Sequence, residues 1–119
     1  DGSDNVGRAT HMLSYTWGYS VGDIVATLAT YCRQKGADPK RTNVWVCCVC
    51  INQHYVDACK KVGHEVSYND LSEAFEKSIT SAGRVLALLA PWRAPENLTR
   101  VWCIFEIHKC ILLSKCNVE

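Results

Sequence analysis

The last third of the chain holds one carboxylate in an unusual setting. Glu106 stands between Phe105 and Ile107, in an apolar run that includes Trp102 and Cys103. Glutamate is almost never fully buried unless paired. Glu106 therefore either points outward, pairing with Lys109 one turn on, or lines a pocket. A pocket carboxylate just past the carboxyl end of a parallel strand stands where open α/β folds place ligands. A second stretch, Ser14-Tyr15-Thr16-Trp17-Gly18-Tyr19-Ser20, mixes hydroxyls, aromatic rings and a glycine. Trp17 or Tyr19 could stack on a planar ring. Gly18 permits close backbone approach, and Ser20 at a helix start could meet a phosphate. The competing reading is a core tryptophan and a glycine that serves only the turn.

Other chemistry is less supported. Cys103 stands near a helix start, where a thiol pKa can fall, but a nucleophile needs a base and His108 lies off its face. Cys50, His54, Cys59 and His64 form a Cys-x3-His-x4-Cys-x4-His series. It lacks the two-residue cysteine turn common at zinc sites, and no metal is expected. Arg84, Arg93 and Arg100 are scattered, and no phosphate-binding glycine motif is present. Asn97-Leu98-Thr99 is a glycosylation sequon in form.

The elements that must position these groups follow from periodicity. Met12 to Thr16 reads as a strand. Ser20 caps a helix carrying Val21, Ile24, Val25, Leu28, Tyr31 and Cys32 at helical spacing, stopped by Gly36. Asn43 to Val49 is β-branched, aromatic and cysteine-rich, and reads as a second strand. Ile51 to Ser67 reads as a long loop of functional length. Asn69 or Asp70 caps a second helix bearing Leu71, Ala74, Phe75 and Ile79, ended by Gly83. Arg84 to Leu89 is a third strand, and Pro91, Pro95 and Asn97 break the chain before a helix from about Thr99 to Cys116. The order β-α-β-α-β-α calls for a parallel sheet of about three strands.

The chain has 119 residues, of which 48% are hydrophobic, and a formal net charge of +1. It is long enough for one domain, and its charge makes no case for nucleic acid. No apolar stretch is long enough to span a membrane. Residues 1–11 read as a flexible lead-in without a signal peptide, and residues 12–119 as the domain. The eight cysteines then read as mostly free thiols in a reducing, cytoplasmic setting.

These pieces resemble the TIR (Toll/interleukin-1 receptor) superfamily. Leu13 to Gly18 is similar to its opening strand and loop, Leu71 to Ile79 to the helix before its third strand, and Val85 to Ala90 to that strand. Trp102-Cys103-x-x-Glu106 matches the family's W-C-x-x-E at identical spacing. A second resemblance is to fungal HET (heterokaryon incompatibility) domains, remote TIR relatives. It rests on Ser14-Tyr15-x-Trp17-Gly18, Trp45 and Cys50-Ile51-Asn52-Gln53. The HET aspartate two residues after the tryptophan stands as Cys47 here. The resemblances span roughly residues 12 to 116, without a TIR domain's final strand–helix units.

The resemblance implies a flavodoxin-like three-layer α/β/α fold, short at its C-terminus. It also implies a signalling or defence domain that splits NAD+ at the nicotinamide–ribose bond on self-association. Glu106 then becomes the essential carboxylate. Ser14, Trp17, Gly18, Tyr19, Ser20, Trp102 and Cys103 become substrate contacts, with Trp102 and Cys103 also open to a purely structural reading. NAD+ is substrate, and no cofactor is needed. The alternative is a non-enzymatic module that binds copies of itself or other TIR-like domains in signalling or cell death.

Overall fold

The computed structural model describes residues 6–50, 53–63, 68–113 and 116–119. It is an α/β fold built on four parallel strands. The order along the chain is β1 (His11–Ser14), α1 (Val21–Lys35), β2 (Val44–Trp45), α2 (Cys47–Cys50), α3 (Gln53–Lys61), α4 (Tyr68–Ala82), β3 (Arg84–Ala87), α5 (Val101–Leu112) and β4 (Asn117–Val118). In space the strands run β2-β1-β3-β4. The register sets Met12 beside Trp45 on one side and Val85 on the other, and Val85 beside Val118.

Strand side chains alternate between faces, so β1 feeds two cores. Met12 packs with Phe75 and Ile79 of α4, Val85 of β3 and Cys110 of α5. Leu13 and Tyr15 pack with Leu86 and Leu88, and with Ile24, Leu28 and Tyr31 of α1. The molecule is thus three layers: α4 and α5, then the sheet, then α1. α1 begins in a capping box: the Ser20 hydroxyl accepts from Asp23 N–H while the Asp23 carboxylate accepts from Ser20 N–H. It ends where Gly36 takes a φ of 62°, a left-handed conformation that only glycine adopts at little cost.

Several elements differ from the expectation. The sheet has a fourth strand at Asn117–Val118, just past the expected last helix, where about three strands were expected. Here Ala87 N–H donates to Glu119 O and Glu119 N–H to Val85 O, both at 2.8 Å. The run from Asn43 to Val49 is not one strand. β2 stops at Trp45, and Val46 O accepts from Val49 and Cys50 N–H, turning the chain into α2. Among the described residues β2 pairs with β1 alone, so a longer extended run there would gain hydrogen bonds on one side only. Within the expected 51–67 loop lies α3. Asn69 and Asp70 fall inside the first turn of α4 rather than at its cap. On α1, Val21 and Val25 are exposed and only Ile24, Leu28, Tyr31 and Cys32 face inward.

Six cysteines are free thiols, while Cys110 and Cys116 form a disulfide that joins α5 to the residue before β4. Among the described residues, no helix is long and apolar enough to cross a membrane.

Candidate functional site

Glu106 is buried, at 5% exposure. α5 turns Cys103, Glu106 and Cys110 inward on one face. Cys103 and Cys110 satisfy the apolar side of that face, and Glu106 reaches the carboxyl end of β1. The surface reading fails because Lys109 is engaged elsewhere. Its Nζ lies 2.9 Å from Glu76 Oε2 on α4 and 5.6 Å over the Phe105 ring.

Glu106 lies close to the Ser14 hydroxyl at the end of β1, where Asn97 is also bound. Its Oε2, the Ser14 Oγ and the Asn97 Oδ1 are all buried without a hydrogen-bond partner among the described residues. Ser14 and Asn97 are each at 0% exposure. Native proteins pair nearly all such atoms, and each one left over costs about 1–3 kcal/mol. Buried polar atoms left over at the end of β1 make this the candidate site. The Asn97 amide is held by donating from Nδ2 to Ser14 O at 3.1 Å. This bond ties the 3₁₀ turn Glu96–Thr99 to the end of β1.

Burial pushes the Glu106 carboxyl up from its ordinary 4.5 to about 7, against opposing pulls from the Ser14 hydroxyl and the Arg100 charge. The Ser14 hydroxyl acts on the carboxyl without closing a hydrogen bond of ordinary geometry. A carboxyl poised near neutrality can hold or release a proton at working pH. As the anion it can also stabilise a cationic centre.

The other expected residues divide. Trp17 is 65% exposed, with the Arg100 guanidinium 5.5 Å from its ring centroid. Gly18 is tightly placed: a Cβ there would stand 3.1 Å from Glu96 Oε2, and its N–H donates to Thr16 Oγ1 at 3.2 Å. Cys103 packs against the recess and donates to Tyr15 O at 3.3 Å. Burial raises its thiol pKa, and the Glu106 charge raises it further, so it is not an activated nucleophile.

Three expected contacts are used structurally instead. Tyr19 packs on the α1 side, and its hydroxyl accepts from Ala90 N–H at 2.9 Å and donates to the Ala90 carbonyl, anchoring the chain after β3. Ser20 is spent in the α1 cap. Trp102 stacks on Phe75 with centroids 5.5 Å apart and meets Phe105 edge-on, which packs α5 on α4.

Two features escaped sequence reasoning. Asn97 reads as a chain breaker next to Pro95, and nothing local marks it as buried; its burial also keeps a glycan off the sequon in the folded chain. Cys47, where the HET motif has aspartate, packs against both cores and donates to the Tyr15 hydroxyl at 3.7 Å. Burial raises its thiol pKa, and the Glu106 charge adds to that rise, so the position feels the recess. Among the described residues no group of His, Cys, Asp and Glu could hold a metal ion. His64, Ile51 and Asn52 lie outside the described residues. No protein-family model, curated protein or solved structure matches the chain.

Proposed function

We propose that this chain is a TIR-like NAD+ nucleosidase acting through Glu106. The observation that carries the reading is the buried Glu106 oxygen left unpaired beside the Ser14 hydroxyl and the Asn97 carbonyl, at the carboxyl edge of a parallel sheet. The W-C-x-x-E spacing of Trp102 to Glu106 supports it. In the reaction the C1′–N bond breaks and its electron pair passes to the nicotinamide nitrogen. The ribose takes on oxocarbenium character, as in glycoside hydrolysis. The Glu106 carboxylate stabilises that charge, and the Ser14 hydroxyl and Asn97 carbonyl are placed to bond ribose hydroxyls. Water forms the new C1′–O bond and its proton leaves through the carboxylate. Nicotinamide is a cationic leaving group, so no second carboxyl is required. The six free thiols fit a cytoplasmic setting, and the Cys110–Cys116 disulfide is the feature that speaks against one.

The test is nicotinamide release from NAD+ by the concentrated, purified chain and by Glu106→Gln. The reading expects release at least 100-fold lower in the variant with the fold retained. Release that survives the substitution removes Glu106 from the reaction. No release from assembled wild-type chain removes the enzyme.

A second reading, a non-enzymatic module that binds copies of itself or other TIR-like domains, has its own observation. A groove of about 720 Å³ runs along α1 on the opposite face of the sheet, lined by Leu13, Leu28, Leu86, Leu88 and Pro91 among others.

A further inference from the structure

Resting on the nucleosidase reading, we propose that Arg100 binds the diphosphate of the dinucleotide and that Trp17 is the positioning residue holding its guanidinium at the rim of the Glu106 recess. Arg100 is half-buried, yet its side chain makes no hydrogen bond or ion pair with any described residue; it lies over the face of Trp17 at 5.5 Å and acts on Glu106 through its charge alone. A guanidinium presents five donors in a rigid fork that matches two phosphate oxygens at once. A partly desolvated fork with its donors unspent is arranged for an anion that arrives from outside. Arg8 donates to Ser81 and Arg33 to Thr30, while Arg41, Arg84 and Arg93 are exposed to solvent, so none of them combines partial burial with free donors.

The placement fits a dinucleotide whose glycosidic bond meets Glu106. Arg100 stands at the N-cap of α5 and Glu106 six residues on. That is about 9 Å of helix rise, the scale of one ribose with its diphosphate. The N-terminal end of α5 also favours negative charge, and no side chain caps it at Arg100. That helix end would not make a site alone. The unpaired buried oxygens of Glu106, Ser14 and Asn97 supply the independent sign of a ligand.

Trp17 contributes geometry. A cation over an indole face is held electrostatically without using its N–H donors. Trp17 therefore keeps the fork at the rim while leaving it free for phosphate. The Arg100 guanidinium lies 5.5 Å from the Trp17 ring centroid, and its charge acts on the Glu106 carboxyl from that position.

The test compares ADP-ribose, which has the diphosphate, with nicotinamide riboside, which has the glycosidic bond and no phosphate. Affinities are measured by calorimetry on the wild-type chain, Arg100→Gln, Trp17→Leu and Trp17→Phe. The proposal expects Arg100→Gln to lose at least tenfold in ADP-ribose affinity with nicotinamide riboside unchanged within twofold. Trp17→Leu should lose about threefold on ADP-ribose, and Trp17→Phe should restore most of it. Equal losses on both ligands, an unchanged ADP-ribose affinity in Arg100→Gln, or no ADP-ribose binding by wild type would overturn it. Nicotinamide release decides the nucleosidase separately. Diphosphate binding that needs Arg100, without release, would keep the anion site and discard the hydrolase.

Discussion

Glu106 costs the fold stability that a neutral residue would not. Its carboxyl moves from an ordinary 4.5 to about 7, chiefly because burial disfavours the anion. A raised carboxyl pKa means the folded chain holds the proton that the unfolded chain has released. Stability from this group is therefore present below pH 4.5 and lost as pH rises to and beyond 7. The full loss is about 3 kcal/mol. Glu106→Gln should accordingly raise the urea midpoint at pH 8 and leave it near wild type at pH 5. A variant no more stable than wild type at pH 8 would show that the carboxyl is solvated. The same ionisation governs the proposed chemistry, so kcat/KM should rise through pH 7 as the carboxylate forms. The sequence offered two fates for this residue, surface pair or pocket. Lys109 decided between them by turning to Glu76, a partner 33 positions away that no local pattern names.

At the scale of elements, local signals were read well where the interaction is local. The α1 cap and its stop at Gly36 involve residues within one turn of each other. Ser20→Ala should cost about 1 kcal/mol in denaturant unfolding, and Ser20→Gly only a few tenths. Equal costs would mean that the hydroxyl does not cap. Signals that depend on a neighbour were misread. Cys47 to Cys50 has strand-like residues yet forms α2, because an edge position offers β2 pairing from one side alone. Asn117–Val118 has little strand character and becomes β4 because the edge of β3 is there to pair with it.

Across the whole molecule, one polar chain reinforces the packing of α1 on the sheet and extends it to the residue after β4. His11 Nε2 lies 3.1 Å from the Tyr31 hydroxyl, which donates to Glu119 Oε2 at 3.1 Å, and Glu119 pairs with Lys35 at 2.9 Å. β1, α1 and the residue after β4 are thereby joined. Burial lowers the His11 pKa, Arg84 lowers it further, and Glu119 opposes them. The unfolded chain then binds a proton that the folded chain refuses. This contribution is present above the ordinary 6.5 and lost as pH falls below it. His11→Gln should flatten the fall in unfolding free energy between pH 6.5 and 5. An unchanged acid limb would assign the loss to other groups. Glu106 and His11 thus tilt the stability profile in opposite directions.

What the sequence by itself determined is the set of choices made within a few residues. These are the capped α1, the glycine stops, the apolar strands β1 and β3, and a helix that carries Trp102, Cys103 and Glu106. Their causes are hydrogen bonds and side-chain periods that act over one turn or one pleat. Tertiary structure alone decided which polar atoms lose water. It buried Asn97 beside Ser14 although 83 residues separate them. It spent Tyr19 on Ala90 and Trp102 on Phe75, and it set Arg100 over Trp17. Desolvation depends on what lies on every side of a group, and that is set by packing between distant segments rather than by the residues next to it in the chain.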